Sequence, residues 1–582
     1  MERLENWLYY QIWNALESRK ELEEKWKEYY NLYEEVLPPK DFPWEGCSNV
    51  FVPIVPTAVE TLYARLYASL FGARPYVCIR PKRAIIIKDE QGTKDICPEI
   101  CSNAEKFLDA KMEDDINIRK KGRDWVMQAV KMGLGIFKVY WNGKANVDFV
   151  RIEDFVFPPN AKDIQTCQWV GHRFRLTWDE LVIRQRQGLY KNIEKIKQYY
   201  ETQAGEGEMT VEEREEEIGL KRQQTDILKE YELYEVWCKF QKDENSLPQD
   251  LVITFHLESM TILRRIEAPY PFRPFVLLPL MPREGEIYAK GLCEMLYHPQ
   301  KEINTIHNQR IDNETIANAK CFKARKTARK EIGKIYPTKI FYLDDPTTDL
   351  MEFSLGDVHQ SAFIEEQVVR GYAERRSKIT DYVLGRQSDI IKSRATATGT
   401  LALLREAGMH FDLFVEQGKD ALAELGYMIF WLYNAFGGPE QEYRTIEASG
   451  RVEYGFFKPV PVNGDIKEYL DFYVTGIGSG VTKQLEQQAS LILLQQLSAL
   501  YEKFIELLSY LVNPQIPATI KKACEEMLQS YYKLAKKLLK SFEVFEPSEF
   551  LPEIPTLTKM AALEEDLYHA RMETAVEGME EA

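Results

Sequence analysis

From Ala397 to Phe436, apolar or small residues recur in alternating steps of four and three: Ala397, Leu401, Leu404, Gly408, Phe411, Val415, Gly418, Leu422, Leu425, Ile429, Leu432 and Phe436. This heptad-like seam predicts one helix about 60 Å long at about 1.5 Å per residue. Two seam positions are glycines, Gly408 and Gly418, and each costs roughly 1 kcal/mol relative to Ala inside a helix. They are expected to mark a bend or a close backbone approach in place of a straight zipper. Gly437-Gly438-Pro439 is a helix stop. Just upstream, Leu384–Arg394 has no helical stripe and carries three cations, Arg386, Lys392 and Arg394. A cationic loop therefore feeds a very long helix.

The chain around this helix has 582 residues, 45% hydrophobic and 12% aromatic, enough for several domains and a large core. Its net charge of −16 argues against a protein that wraps nucleic acid tightly, because phosphate neutralisation needs a basic surface. A surface that DNA slides past without sticking stays open. Nine cysteines are scattered, with Cys97 and Cys101 as the close pair and no histidine beside them. Buried thiols in a reducing compartment fit better than a metal site, and neither metal nor cofactor is expected. The acidic N-terminus lacks a signal-peptide pattern, and the longest apolar segment, Leu425–Phe436, is too short for about 30 Å of hydrocarbon. The expectation is a soluble, intracellularly made protein with no membrane partner.

Residues 1–36 read as a helical arm dense in Trp7, Trp13, Trp26, Tyr29, Tyr30 and Tyr33, aromatics that anchor an arm on its own chain or on a neighbour. Pro38-Pro39 stops it. A helix is predicted over 56–71 and a second, long one over 98–132. The period then switches to two: 135–141, Asn142-Gly143 and 145–150 predict a hairpin with a type I′ turn. A strand at 169–176 follows, then a capping box, Thr177 with Glu180, opening a helix over 178–200. Residues 201–226 are highly charged and read as a solvated excursion. Strands are predicted at 231–240, 251–257 and 275–279. The fold class is α+β, predominantly helical.

From Gly291, Leu292, Leu296, Pro299, Ile303 and Ile306 form one narrow stripe. Gln300, Asn304, Asn308, Gln309, Asp312, Asn313 and Asn318 fill the other faces, so this helix is expected to be mostly wet. A second helix over 360–383 has a stripe through Ile364, Val368, Tyr372, Ile379 and Tyr382. Between them lies an island with short strands expected at 332–335 and 339–343. It is basic at its start, with Lys320, Lys323, Arg325, Lys326, Arg329, Lys330, Lys334 and Lys339 against one acid, Glu331.

Several phrases in this order resemble the portal (head-to-tail connector) proteins of tailed bacteriophages. They are Trp44–Val50 followed by Pro53; Gly133–Trp141; Asp154–Ala161; Gly291 with Gln300–Asn304; and Arg394–Thr398 opening the long helix. The resemblance spans about residues 40–540. It implies a portal-like architecture assembled as a dodecameric ring. Its parts would be an N-terminal arm (1–39), a wing (40–287), stem helices (288–319 and 355–383), a clip (320–354) and a tunnel loop (384–394). The long helix and wing return (395–480), a helical crown (481–545) and an acidic C-terminal tail or barrel (546–582) complete it. It further implies a structural, non-enzymatic role at the capsid portal vertex of a virion, after assembly in the host cytoplasm. The implied partners are double-stranded DNA passing through the channel, the major capsid protein, the terminase and a tail adaptor. Arg386, Lys392 and Arg394 would face DNA or form intersubunit ion pairs, and the clip cations would meet protein partners or DNA. The long helix would bend near Gly408 or Gly418 and brace the loop.

In the end domain, Leu491, Leu494, Leu497 and Tyr501 form one stripe and Met527, Tyr531, Leu534 and Leu538 another. No phosphate loop, His-Glu-x-x-His or Gly-x-Ser-x-Gly motif is present. Gly476–Gly480 reads as a joint in preference to a phosphate cradle, and His298 and His307 do not share a helix face. Two other classes fit the pattern less well: a coiled-coil capsid or scaffold protein, and a nucleic-acid enzyme with a dispersed site.

Overall fold

The aromatic arm finds its partners within the chain. Helix α1 (Glu2–Ser18) lays Leu4, Leu8, Ile12 and Ala15 on a sheet face made by Val156, Trp169, Tyr234, Val236 and Phe255. Helix α2 (Lys20–Tyr33) follows after a break at Arg19, which donates to the carbonyls of Phe155 and Glu153 and so pins the joint. Trp26, Tyr29 and Leu32 of α2 enter the main core. The computed structural model describes residues 2–42, 44–83, 86–89, 92–95, 97–203, 230–241, 247–318, 321–324, 326, 340, 342, 345, 347, 349–353, 360–379, 397–446, 452–460, 466–474, 491, 493–507 and 517–541. The chain divides into two units, Met1–Ile477 and Gly478–Ala582.

In the first unit, α3 (Ile54–Phe71) precedes three short strands, β1 (Cys78–Pro81) and the paired β2 (Ile86–Asp89) and β3 (Gly92–Asp95). The long helix expected over 98–132 is two helices. Helix α4 (Cys97–Lys111) passes through one wide turn, Met112–Ile116, to Asn117, whose φ of 55° breaks the helical path. The Asn117 side chain then accepts from the Lys120 amide and starts α5 (Ile118–Met132).

Strands β4 (Leu134–Trp141) and β5 (Ala145–Val150) form the expected hairpin, but its turn is not type I′. Trp141 pairs with Ala145 across a loop of residues 142–144, in which Gly143 has positive φ (72°) and Asn142 does not. Strands β6 (Phe155–Val156), β7 (Trp169–Thr177), β8 (Glu230–Phe240), β9 (Gln249–His256) and β10 (Thr261–Glu267) make an antiparallel sheet in the order β10-β9-β8-β7-β6. Strand β10 had no place in the sequence reading. The capping box forms, yet the helix behind it is short: α6 (Trp178–Arg186) stops before Gly188 and Asn192, both at positive φ, and α7 (Ile193–Gln203) restarts. The charged excursion lies almost wholly outside the described residues.

Strand β11 (Phe275–Pro279) adds to β4, giving the order β11-β4-β5, and α8 (Leu292–Asn318) leaves from there. The junction is tight. A Cβ on Gly133 would sit 2.2 Å from the Ala289 carbonyl oxygen, and one on Gly291 would sit 2.2 Å from that of Lys131. Only glycines let the end of α5 and the start of α8 cross this closely. Trp125 of α5 stacks on Phe137 of β4 at 4.6 Å, deep in the same core.

Beyond the ribbon β12 (Cys321–Ala324) and β13 (Leu350–Phe353) come α9 (Gln360–Ser377) and α10 (Ala397–Phe436). The seam of α10 is buried at Phe411, Val415, Leu422, Leu425, Ile429 and Leu432. Residues 425–430 are buried without interruption, so the C-terminal part of α10 is surrounded on every side and is a core helix, not one strand of a zipper. The amide of Gly437 closes onto the Tyr433 carbonyl at 2.9 Å and Gly438 takes φ 83°, as the stop signal predicts. The ribbon β14 (Gln441–Ile446) with β15 (Val452–Phe457), and β16 (Leu470–Tyr473) paired to β1, finish this unit.

In the second unit, helical residues 493–507 and the helix Ala518–Ser541 bury Phe504, Leu507, Leu528, Ala535 and Leu539. Leu497, Tyr501 and Tyr531 border that cluster, while Leu491, Leu494, Met527 and Leu534 are exposed. The expected stripes are therefore half right: each helix carries apolar residues on two faces, and the packed one is rotated from the one predicted.

Candidate stem and channel elements

Residues 48–53, Ser-Asn-Val-Phe-Val-Pro, belong to no helix or strand and lead into α3 at Ile54 and Val55, so their backbone groups need other partners. Helix α8 supplies them. Val50 donates to Asn308 Oδ1 (2.7 Å), Val52 to Asn304 Oδ1 (2.9 Å) and Ser48 to Asp312 Oδ1 (2.6 Å). Gln300 Oε1 accepts from Ile54 (3.2 Å) and Val55 (3.0 Å), the first amides of α3, whose N-cap position is Pro53 and offers no side-chain acceptor. In return Gln300 Nε2 donates to the Val52 carbonyl and Asn308 Nδ2 to that of Val50. Four residues of helix rise about 6.0 Å and two of extended chain about 6.6 Å, so rungs spaced by four on α8 meet rungs spaced by two on the strap.

These four side chains were expected on a wet face. They are buried instead, Gln300 at 0% exposure. Asp312 also faces Lys40 at 3.6 Å. Burial opposes its ionisation, but hydrogen bonding from Ser48 and the charge of Lys40 outweigh that and hold the carboxyl below its usual range. The signal in sequence was the i, i+4, i+8, i+12 spacing of amide and acid side chains; what it lacked was any sign of the backbone they serve.

The second half of α8 pairs with α9 around Glu366. Its carboxylate accepts from Arg370 (2.9 Å) and lies 3.5 Å from both His307 Nδ1 and Arg310 Nε. Burial pushes the Glu366 carboxyl up, hydrogen bonds from Arg370 and His307 pull it down, and the net effect is downward. Val52, Ile303 and Val369 form a small apolar cluster beside this group.

The outer faces of the two helices differ in kind. Helix α8 exposes His298, Lys301, Glu302, Thr305, Gln309, Asn313, Thr315 and Asn318. Helix α9 exposes an apolar stripe, Ile364, Val368 and Tyr372, flanked by exposed Glu365, Gln367, Arg370, Arg375 and Arg376, sets Phe363 under the Arg310 guanidinium of α8 at 4.8 Å, and buries Glu366, Val369, Ala373 and Ser377. Of the predicted stripe of α9, Ile364, Val368 and Tyr372 face outward, Ile379 is buried beyond the helix end, and Tyr382 lies outside the described residues. The helix stops at Ser377, ahead of the expected 383, where Lys378 takes φ 59°.

Of the cationic positions read from sequence, Lys323 lies on β12 and Lys326 just after it, both exposed. Lys320, Arg325, Arg329, Lys330, Lys334 and Lys339 lie outside the described residues, as do Arg386, Lys392 and Arg394. The expected island strands also fall outside them, save exposed Ile340 and Tyr342. Gly408 is within α10. Gly418 is packed: a Cβ there would sit 2.8 Å from Leu70 Cδ2 of α3. Cys97 and Cys101 are buried, and among the described residues no group of three or more His, Cys, Asp or Glu side chains is placed to hold a metal ion. No described helix is long and apolar enough to cross a membrane.

The family model of the Phage SU10 portal protein matches residues 142–447, just over half of the chain. The chain belongs to the phage portal protein family. The matched span runs from the turn before β5 through the α8–α9 pair to just past β14, so it takes in the α8 side of the polar ladder, α9 and the whole of α10, while the strap at 48–55 lies outside it. Portal proteins are structural, head-to-tail connector components and not enzymes, which removes the dispersed nucleic-acid enzyme as a reading. A solved structure titled "Neck of empty GTA particle computed with C6 symmetry" is similar over 70% of this chain and 80% of its own, at 9% identity and a TM-score of 0.31. No curated protein matches the sequence.

Proposed function

We propose that twelve copies of this portal-family chain form a ring at one capsid vertex, that double-stranded DNA passes through its bore during packaging and ejection, and that the ring docks the terminase and then the tail adaptor. The carrying observation is the portal match over 142–447, which includes the five-stranded sheet, the α8–α9 pair and the long helix. On this reading 40–287 and 395–480 are wing, 288–319 and 355–383 stem, 320–354 clip, 384–394 tunnel loop and 481–545 crown, with 1–39 an arm and 546–582 a tail or barrel.

The unlike outer faces of the stem pair support it. An apolar stripe on α9 is suited to packing against the next copy, and the polar face of α8, with Lys301 and Glu302 offsetting each other, suits contact with water. A net charge of −16 disfavours tight binding of phosphate, so DNA would slide, with Arg386, Lys392 and Arg394 as transient contacts. Clip cations such as Lys323 and Lys326 would meet acidic partner surfaces.

A phage lacking this chain is expected to make heads without DNA, rescued by the wild-type chain in trans; DNA-filled heads would overturn the reading. Alanine at Arg386, Lys392 and Arg394 together should lower the packaged-genome yield, and an unchanged yield would take the loop away from DNA.

A further inference from the structure

We propose that Ser48–Val55 and α8 form a graded zipper at a proline hinge: α8 beyond Pro299 swings as a lever, and the strap releases it rung by rung from the Asp312 end.

The near end of α8 is fixed. Gly291 is locked against α5, and Leu292, Cys293 and Leu296 have no exposed surface. Pro299 then sits within the continuous helix, removing the amide that would bond the Met295 carbonyl and crowding that carbonyl with its ring. Helices bend at such positions. Gln300 is adjacent to this pivot and Asp312 lies about 18 Å farther along. A swing of about 10° therefore moves Asp312 by about 3 Å, enough to break a hydrogen bond, and moves Gln300 by under about 0.5 Å.

The strap is built to match. Val55 is fully buried, Val52 is 8% exposed and seated against Ile303 and Val369, and Val50 is 44% exposed. Its inner end is held by apolar packing and its outer end by hydrogen bonds with the partly exposed Lys40–Asp312 ion pair beside them. Water can take over each outer backbone rung in turn, and the Ser48 hydroxyl, which donates to the Asn308 carbonyl at 2.7 Å, is released with the outermost ones. The Lys301–Glu28 ion pair, 2.9 Å long and exposed, sits one residue from Gln300 and does not restrain the far end. The device stands on the fold alone; that it sets how far the stem leans toward a channel axis rests on the ring reading above.

Hydrogen exchange of the full chain, read at single amides, tests it. Ser48 and Val50 are expected to exchange about tenfold faster than Val55, with Val52 between. Asn308→Ala should speed Ser48 and Val50 about a further tenfold and leave Val55 within about twofold. Pro299→Ala, which restores the helical amide, should narrow the gap between Val50 and Val55. A single common rate for Ser48–Val55 would overturn the zipper. So would acceleration of β4 and β11 by the same factor in Asn308→Ala, or an unchanged gap in Pro299→Ala.

Discussion

Gln300 shows how a polar residue becomes core: with no exposed surface it binds two amides and one carbonyl of the strap. Periodicity assigned it, with Asn304, Asn308 and Asp312, to a wet face, because polarity along a helix is ordinarily a sign of water. The missing fact was a strap outside any sheet 250 residues away, which no local pattern reveals. Gln300→Leu should leave the buried Val55 amide without its acceptor, and Ile54 with the Val52 carbonyl at 2.9 Å as its partner, at a cost of about 1–3 kcal/mol read as a lower urea midpoint at constant slope. A second residue-scale expectation concerns pH. Burial, with Lys138 nearby, lowers the His172 pKa to about 3, and burial lowers that of His256 to about 4. The unfolded chain therefore takes up these protons first as the pH falls below about 6.5, so stability is flat above that value and declines toward pH 4. The slope should reach about 1.4 kcal/mol per pH unit for each group. His172→Gln is expected to remove one group's share in denaturation measured from pH 7 to 4; an unchanged slope would contradict it.

At the scale of elements, what the sequence made legible depended on which face each period reported. The seam of α10 was readable because it is the buried face, and Gly418 lies on it for a reason: Leu70 of α3 fills the space a side chain would need. Gly418→Val should cost about 1–3 kcal/mol by overpacking, seen in the thermal midpoint, although it improves helix propensity. The stripe of α9 was equally regular and faces outward, since periodicity finds an apolar face without saying what covers it. Helix lengths failed where one residue at positive φ ended a good pattern, as Asn117, Gly188 and Lys378 do. Such a residue is chosen by the surrounding packing, and composition at the site barely signals it.

For the whole molecule, the division at Ile477 and Gly478 gives the first unit its own core, so a chain ending at Ile477 should keep the near-ultraviolet circular dichroism of that core and unfold cooperatively. Loss of that signal would mean that the units fold together. Order of parts, more than any one motif, carried the portal resemblance, and the family match bears it out. Assembly is where the central claim is most exposed. Val368→Asp places a charge on the outer face of α9, away from the core, and should prevent assembly while shifting stability by no more than about 0.5 kcal/mol. The most direct measurement is the native mass of the purified wild-type chain together with its negative-stain images. A ring of about twelve copies around a central hole is predicted, and a monomer or a dimer without a hole would contradict the account.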